Sequence, residues 1–392
     1  MGRLLFGVLA VAVSAMTVIR PPARAFWLVS LIVTEWGYWF ILPLLLLWLP
    51  GWREKTTRLI GAFLGLVACG LLLNPVLQAV SLARHLPAQL TAAFGDVTLP
   101  EPKPAAPRPS ALVLTELFTG VRTPEVLMRT VVYALKEGTE LGMDVYSSSD
   151  SSPATVVNGA LSAKAPCVVV LHGGSWQAGD RTEQSRFNAY LAARGYVVAA
   201  VDYRLAPQWR FPAAKDDVTD AISYLKTRAA EFGIDPDRLV LVGRSAGGQL
   251  ALLTAYTSGD PAIKGVVASH APTDLSYAYQ NPGNPAVIDT RGLLRAYIGM
   301  SLDDAPALYE AASPLNAVVT RTVPTLLIHG QRDELVSPAQ SARLAAKLAQ
   351  TGSPHLYIRL PWATHGCDVN FNGPCGQIST YAIERFLAAV LR

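Results

Sequence analysis

The sequence predicts an α/β domain built on a mostly parallel sheet with helices on both faces, preceded by an apolar helical region. Three observations carry this. From about residue 128 to the C-terminus, short Val-, Ile- and Leu-rich runs alternate with helical stretches, the pattern of strands buried on both faces by crossover helices. Three longer apolar runs crowd the first 80 residues. Glycine-rich and polar motifs sit where the apolar strands stop, the edge at which such sheets hold reactive groups.

Of the 392 residues, 51% are hydrophobic and only 16% charged, and the excess lies in the runs 4–19, 26–49 and 59–80. The second and third each supply the roughly 20 residues needed to cross a bilayer as a helix. Buried helices of a soluble domain would keep a polar face, and these barely do. The first run follows Arg3 and ends near "ARA" at Ala25, so it reads either as a retained helix or as a cleaved signal peptide. Both readings leave the chain beyond Val80 outside the cytoplasm. With the first run retained, Arg3, Arg53, Lys55 and Arg58 lie inside, against Arg20, Arg24 and Arg84 outside, a thin positive-inside bias. Glu35 falls mid-run and is expected either to face protein or water, or to be protonated in a tilted helix. The chain thus divides into a transmembrane anchor of two or three spans (1–80), a Pro-rich linker and lead-in (81–127), and the α/β domain (128–392). It reads as a multi-pass cell-membrane protein with that domain extracytoplasmic.

"PEPKPAAPRP" between Pro100 and Pro109 cannot continue a helix or enter a central strand and marks a semi-rigid spacer. "TVVYALKEG" and "LGMDVY" form a starting hairpin, and "PCVVVLH", "YVVAAVDY", "RLVLVG", "IKGVVASH" and "PTLLIHG" are the buried strands. Between "APTDL" and "RTVPTLLIHG" the chain inserts a segment, about 274–315, too long for an ordinary connection and expected to cap the site. Its Tyr277, Tyr279, Tyr297 and Tyr309 either line a pocket or pack onto the sheet.

The net charge of +4 is small and dispersed, which excludes a nucleic-acid binder with a basic stripe. Cys69 lies in an apolar run and Cys167 opens a strand, leaving Cys367 and Cys375 as a nearby pair that could form a disulfide outside the cytoplasm. A zinc site from His365, Cys367, Asp368 and Cys375 is the weaker alternative, because paired-cysteine and His-x-x-x-His spacings are missing.

Reading only the carboxyl ends of the strands gives "LHGGSW", "GRSAGG", "HGQRDE" and "WATHG". They supply Ser245, Asp333 and His365. A serine hydroxyl is a poor nucleophile until a base takes its proton, and that base needs an anion to fix its tautomer and stabilise its charged form. Glu334 and Asp368 are rival acids, but Asp333 better fits the turn after its strand. Gly243 and Gly247 let the backbone bend sharply between strand and helix so that the hydroxyl stands exposed. The amide of Ala246, at the helix start, faces any anion formed there. Gly173 and Gly174 leave further amides uncovered for the same oxyanion.

"HGGSW" at 172–176, "DYRLAP" at 202–207 with "FPAAKDD" at 211–217, "GRSAGG" at 243–248, "HGQRD" at 329–333 and "THG" at 364–366 together resemble the α/β-hydrolase superfamily. The resemblance is to its esterase branch: hormone-sensitive-lipase-like carboxylesterases, bacterial feruloyl and acetyl-xylan esterase-like proteins, and kynurenine formamidase with its HGG-x-W pattern. It covers about residues 128–392. It implies an eight-stranded, mostly parallel sheet with a cap insertion, with Ser245 as nucleophile, Asp333 as acid and His365 as base. Gly173, Gly174 and Ala246 are its implied oxyanion donors. Two positions depart from the hormone-sensitive-lipase-like pattern: Arg244 replaces an acidic residue, and Ser175 replaces the last glycine of HGGG. Substrate preference therefore does not carry over from that branch.

Trp176 and Trp362, each beside a catalytic motif, are the expected substrate contacts. His172 braces the glycine loop. His270, His329 and His355 are hydrogen-bonded structural histidines, and Asp202, Arg204, Asp216 and Asp217 form an ion-pair network. The resulting expectation is a membrane-anchored serine carboxylesterase or lipase-like hydrolase acting on a small-molecule or lipid ester, with the bilayer as its other partner and no metal or organic cofactor required. The alternatives are an amide or formamide hydrolase with the same triad, and a non-catalytic membrane interaction protein on a hydrolase fold.

Overall fold

The computed structural model describes residues 2–49, 54–96, 106–148 and 164–392. Arg53 and residues 100–105 of the expected spacer lie outside them. The chain opens with helices α1 (Gly2–Ser14), α2 (Arg24–Trp36) and α3 (Lys55–Phe94). Two helical stretches, Arg24–Leu47 and Lys55–Phe94, are long and apolar enough to cross a membrane. Their outward faces carry exposed Leu42, Phe63, Leu66 and Leu77, and α1 adds Leu5 and Leu9.

Eight strands follow: β1 (Leu127–Lys136), β2 (Thr139–Ser147), β3 (Ala165–Leu171), β4 (Val197–Val201), β5 (Ile234–Arg244), β6 (Ile263–Ser269), β7 (Thr325–Gly330) and β8 (His355–Leu360). They form one sheet in the order β1-β2-β4-β3-β5-β6-β7-β8. From β4 to β8 every neighbouring pair is parallel, while β2 runs antiparallel to β1 and β4. Alternate side chains of each strand point to opposite faces and so divide between two cores. Val169, Leu171, Leu239 and Leu241 enter one; Val168, Val170, Val240 and Val242 enter the other. The second core is closed by α4 (Ser185–Ala192) and the first by α5 (Ala213–Thr227) and α6 (Ala246–Thr257). The insertion after β6 folds into three short helices, α7 (Leu275–Gln280), α8 (Thr290–Ile298) and α9 (Pro306–Ala311). Helix α10 (Ala339–Gln350) completes the first face and α11 (Pro374–Val390) the second.

The structure corrects the expected boundary at Val80. Helix α3 runs on to Phe94. Leucines 82, 86 and 90 and Phe94 recur every fourth residue on one face, and they pack into the second core, with the Phe94 ring edge-on to Phe386 at 4.9 Å. Hydropathy falls after Val80 because the opposite face turns polar, not because the helix ends. Nor is the whole of 81–127 a linker. Arg108 is buried against Glu116 at 2.7 Å and Gln377 at 2.7 Å, and its amide donates to Glu384 at 3.0 Å, which seats the lead-in on α11.

Candidate active site

Ser245 stands between the end of β5 and the start of α6 at φ 50°, ψ −120°, a left-handed conformation that a non-glycine residue adopts only under surrounding constraint. The flanking glycines show how the bend is closed. A Cβ on Gly243 would lie 2.1 Å from the Gly247 carbonyl oxygen, and one on Gly247 would lie 2.1 Å from the carbonyl oxygen of His172. Both contacts are with backbone, which cannot swing away. Gly247→Ala is therefore expected to destabilise the fold by about 3 kcal/mol, the upper end of overpacking costs. A thermal melt checks it, and an unchanged melting temperature would contradict this account of the bend.

Around this serine the chain brings together two residues from other strand ends. His365 Nε2 lies 3.1 Å from Ser245 Oγ, and its Nδ1 lies 2.7 Å from Asp333 Oδ2. Asp333 Oδ1 accepts from the amides of Leu335 and Val336, each at 2.9 Å. Oδ2 also faces His329 Nε2 at 3.2 Å. Because that nitrogen meets two acceptors, Asp333 and the Val336 carbonyl at 3.0 Å, it carries the proton, and Nδ1 accepts from Ser341 at 2.7 Å. Burial alone would push the Asp333 carboxyl up; the charge of His365 and the hydrogen bonds from both histidines outweigh it and hold the group below the usual carboxylate range. The rival acids are engaged elsewhere. Glu334 pairs with Arg20 at 3.5 Å and Asp368 with Arg244 at 2.7 Å.

The loop after β3 lies across the serine. A Cβ on Gly173 would meet Ser245 Cβ at an ordinary contact distance of 3.5 Å, whereas Gly174 adopts φ +104° with no room for a side chain beside Ala178. His172 Nδ1 donates to the Gly173 carbonyl at 2.8 Å, and Tyr203 OH donates to the His172 carbonyl at 2.9 Å while stacking on the His172 ring at 4.2 Å. These bonds hold the loop carbonyls on the protein side. Burial keeps the His172 imidazole below its ordinary value, which suits a neutral brace. Among the described residues, no acceptor takes the amides of Gly173, Gly174 or Ala246.

An apolar cavity opens on Ser245 beneath the cap, walled by Trp176, Ile288, Leu293, Leu294, Leu335 and Val336. Trp176 is fixed there by its Nε1 bond to Gln249 at 2.9 Å and by stacking on Tyr297 at 4.2 Å. Tyr297 and Tyr309 are buried in the first core and pack the cap onto the sheet. Trp362 is a correction. It is fully buried in the second core and donates to Glu35 of α2 at 3.3 Å, because it follows β8 on the side facing α11, away from the cavity.

Several further residues tie the site together. Arg244, one of the two departures from the esterase pattern, holds Asp368 on the histidine loop. His270, at φ 43°, packs edge-on against His365 with ring centres 4.5 Å apart. Burial, then repulsion from His365, keeps it well below its ordinary value and hence neutral. Cys367 and Cys375 are joined in a disulfide that closes this loop. With those sulfurs bonded and His365 and Asp368 engaged as above, the four-residue zinc reading loses its donors. The ion-pair expectation holds for Arg204, which chelates Asp217 at 2.9 Å, whereas Asp202 pairs with Arg181 and Asp216 is exposed.

The BD-FAE family model matches residues 156–348. Esterase LipC of Mycobacterium tuberculosis (strain ATCC 25618 / H37Rv) is 30% identical over 58% of this chain, a match that spans 59% of LipC. The probable carboxylic ester hydrolase LipM of the same strain is 27% identical over 93% of this chain and 86% of its own length, so its likeness extends into the N-terminal helices. Among solved structures, a bacterial heroin esterase superposes with a TM-score of 0.59 at 22% identity, covering 71% of this chain and 89% of that one. A likeness at that identity speaks for the fold.

Proposed function

We propose that this chain, whose fold is that of the α/β-hydrolases and whose curated relatives include esterases, hydrolyses carboxylic esters through Ser245 while its N-terminal helices hold it in a membrane, with the hydrolase domain outside the cytoplasm. The observation that carries the ester-hydrolysis reading is the continuous hydrogen-bonded chain from Ser245 Oγ through His365 to Asp333, at 3.1 and 2.7 Å. In this reading His365 Nε2 takes the Ser245 proton as Oγ attacks the ester carbonyl. The oxygen that becomes negative is received by the amides of Gly173, Gly174 and Ala246 at the start of α6, donors aimed in advance at the developing charge. His365 then gives its proton to the departing alkoxide. Water, deprotonated by the same nitrogen, releases the acid from the acyl-enzyme. Asp333 keeps Nδ1–H pointed inward and stabilises the imidazolium.

The apolar wall of Trp176, Ile288, Leu293, Leu294, Leu335 and Val336 supports an ester with a hydrocarbon portion, a small molecule or a lipid. The exposed apolar faces of α1, α2 and α3 support a substrate met at a membrane. The test is an acyl-chain-length series on the full chain in lipid nanodiscs, with matched amides alongside. Turnover of esters well above amides is expected, rising with chain length while the cavity can accept carbons. A folded chain that cleaves no ester would overturn the proposal, and preference for the amides would move it to amide hydrolysis. Protease access to the hydrolase domain in intact cells tests its side of the membrane.

A further inference from the structure

We propose that the turn joining α1 to α2 is a positioning element of the active site, holding the Asp333 turn, the His365 loop and the cap in one register; this rests on the serine-hydrolase reading above. Three sets of contacts converge on this turn and on the helix α2 that it enters. First, the Arg332 guanidinium donates to the backbone carbonyls of Met16 at 3.0 Å, Ile19 at 2.6 Å and Thr17. These carbonyls lie where the helical ladder ends; the Met16 oxygen also accepts from Ser30 Oγ at 2.8 Å. On the other side of Asp333, Glu334 pairs with Arg20. The acid is thus gripped through both of its chain neighbours. Second, Trp27 Nε1 donates to Thr364 Oγ1 at 2.9 Å, and Thr364 directly precedes His365. Glu35, about two turns further along α2, accepts from Trp362 at 3.3 Å and from the Cys375 amide at 3.3 Å, so α2 lies along the histidine loop. Third, Asn284 donates to the Pro22 carbonyl at 3.0 Å, and the Arg24 amide donates to the Ala286 carbonyl at 3.0 Å. Gly283 and Ile288, on either side of those residues, line the cavity over Ser245.

None of these groups touches the reacting atoms. What they share is position: they bind the residues immediately flanking Asp333 and His365 and the cap segment above Ser245. An error of about 1 Å in such a geometry is enough to lose on the order of 100-fold in rate. The contacts also join the proposed anchor to the reacting centre, so the packing of α1 and α2 in their surroundings sets the geometry of the triad.

The experiment uses the full chain in lipid nanodiscs, with Trp27→Phe, Thr364→Val, their double variant, Arg332→Ala and Arg332→Lys. Each is followed by the second-order rate of Ser245 labelling with a fluorophosphonate, by kcat and KM on a short water-soluble ester, and by the melting temperature. Labelling rate and kcat are expected to fall together, about 10-fold for Trp27→Phe and 10- to 100-fold for Arg332→Ala, with KM within about 2-fold. Arg332→Lys should recover part of the loss. The Trp27/Thr364 double variant should lose no more than the worse single one, since both remove one bond. Melting temperatures that drop while labelling rate and kcat per labelled site stay at the parent's values would overturn the inference, leaving only a structural role. So would full additivity of the double variant. If the parent labels at Ser245 but cleaves no ester, the ester reading fails and the labelling rates still judge this one. A parent that does not label overturns both.

Discussion

Ser245→Ala is expected to lower kcat by on the order of 10⁴- to 10⁶-fold while leaving the melting temperature near that of the parent. The size follows from how a serine relay works: its members act as a unit, and what survives loss of the nucleophile is the rate due to oxyanion donors and binding alone. Stability should hold because Oγ makes one side-chain contact, 3.1 Å to His365, and its loss leaves a ring nitrogen beside the open cavity. The residue keeps a Cβ, so the strained backbone at φ 50° is no worse accommodated. Steady-state turnover, with fluorophosphonate labelling as the second measure, checks this. Retention of more than a hundredth of the parent's rate would mean that another nucleophile does the chemistry.

Asp333→Asn is the second large effect, about 10⁴-fold in kcat. An amide at this position can present its oxygen to the Leu335 and Val336 amides, which then turns its NH2 toward His365 and His329. Facing a donor, His365 moves its proton from Nδ1 to Nε2, and a protonated Nε2 cannot take the serine proton. The same substitution has a signature in stability. The folded-state pKa of Asp333 lies below its ordinary value. The stabilisation it contributes is therefore fully present above the unfolded value, ~3.9, and is lost as pH falls through the lower folded one. In the parent, stability rises with pH across that acid window because the unfolded chain binds the proton more readily. The asparagine variant should show a flatter rise. Chemical denaturation at a series of acidic pH values measures it, and an equal slope in both proteins would contradict the assigned partners.

The parts of this molecule that could be read from the sequence are those whose physical cause is local. A buried parallel strand needs a short continuous run of Val, Ile and Leu, so β3 to β7 stand out; β8, "HLYIRL", interrupts its run with a half-exposed edge pattern and is visible only through the motif that follows it. A strand-to-helix bend at Ser245 needs small neighbours, and the clashes a Cβ would make at Gly243 and Gly247 are the reason those two positions carry glycine. Hydropathy marks the apolar runs but cannot say where α3 ends, because an amphipathic continuation over 81–94 has the helical period without the uniform apolarity that a bilayer selects.

The order of the strand-end motifs, the composition of the N-terminal apolar runs and the cysteine pair near the C-terminus are properties of the chain itself. They follow from propensity, periodicity and spacing, which act over a few residues. Only tertiary structure decides that Trp362 faces Glu35 instead of the cavity, that Arg244 reaches Asp368, and that Trp27 meets Thr364. Each of those pairs is separated by more than a hundred residues, and whether two such side chains touch depends on how whole layers pack. A local pattern specifies which face of an element is buried; it does not specify what that face is buried against.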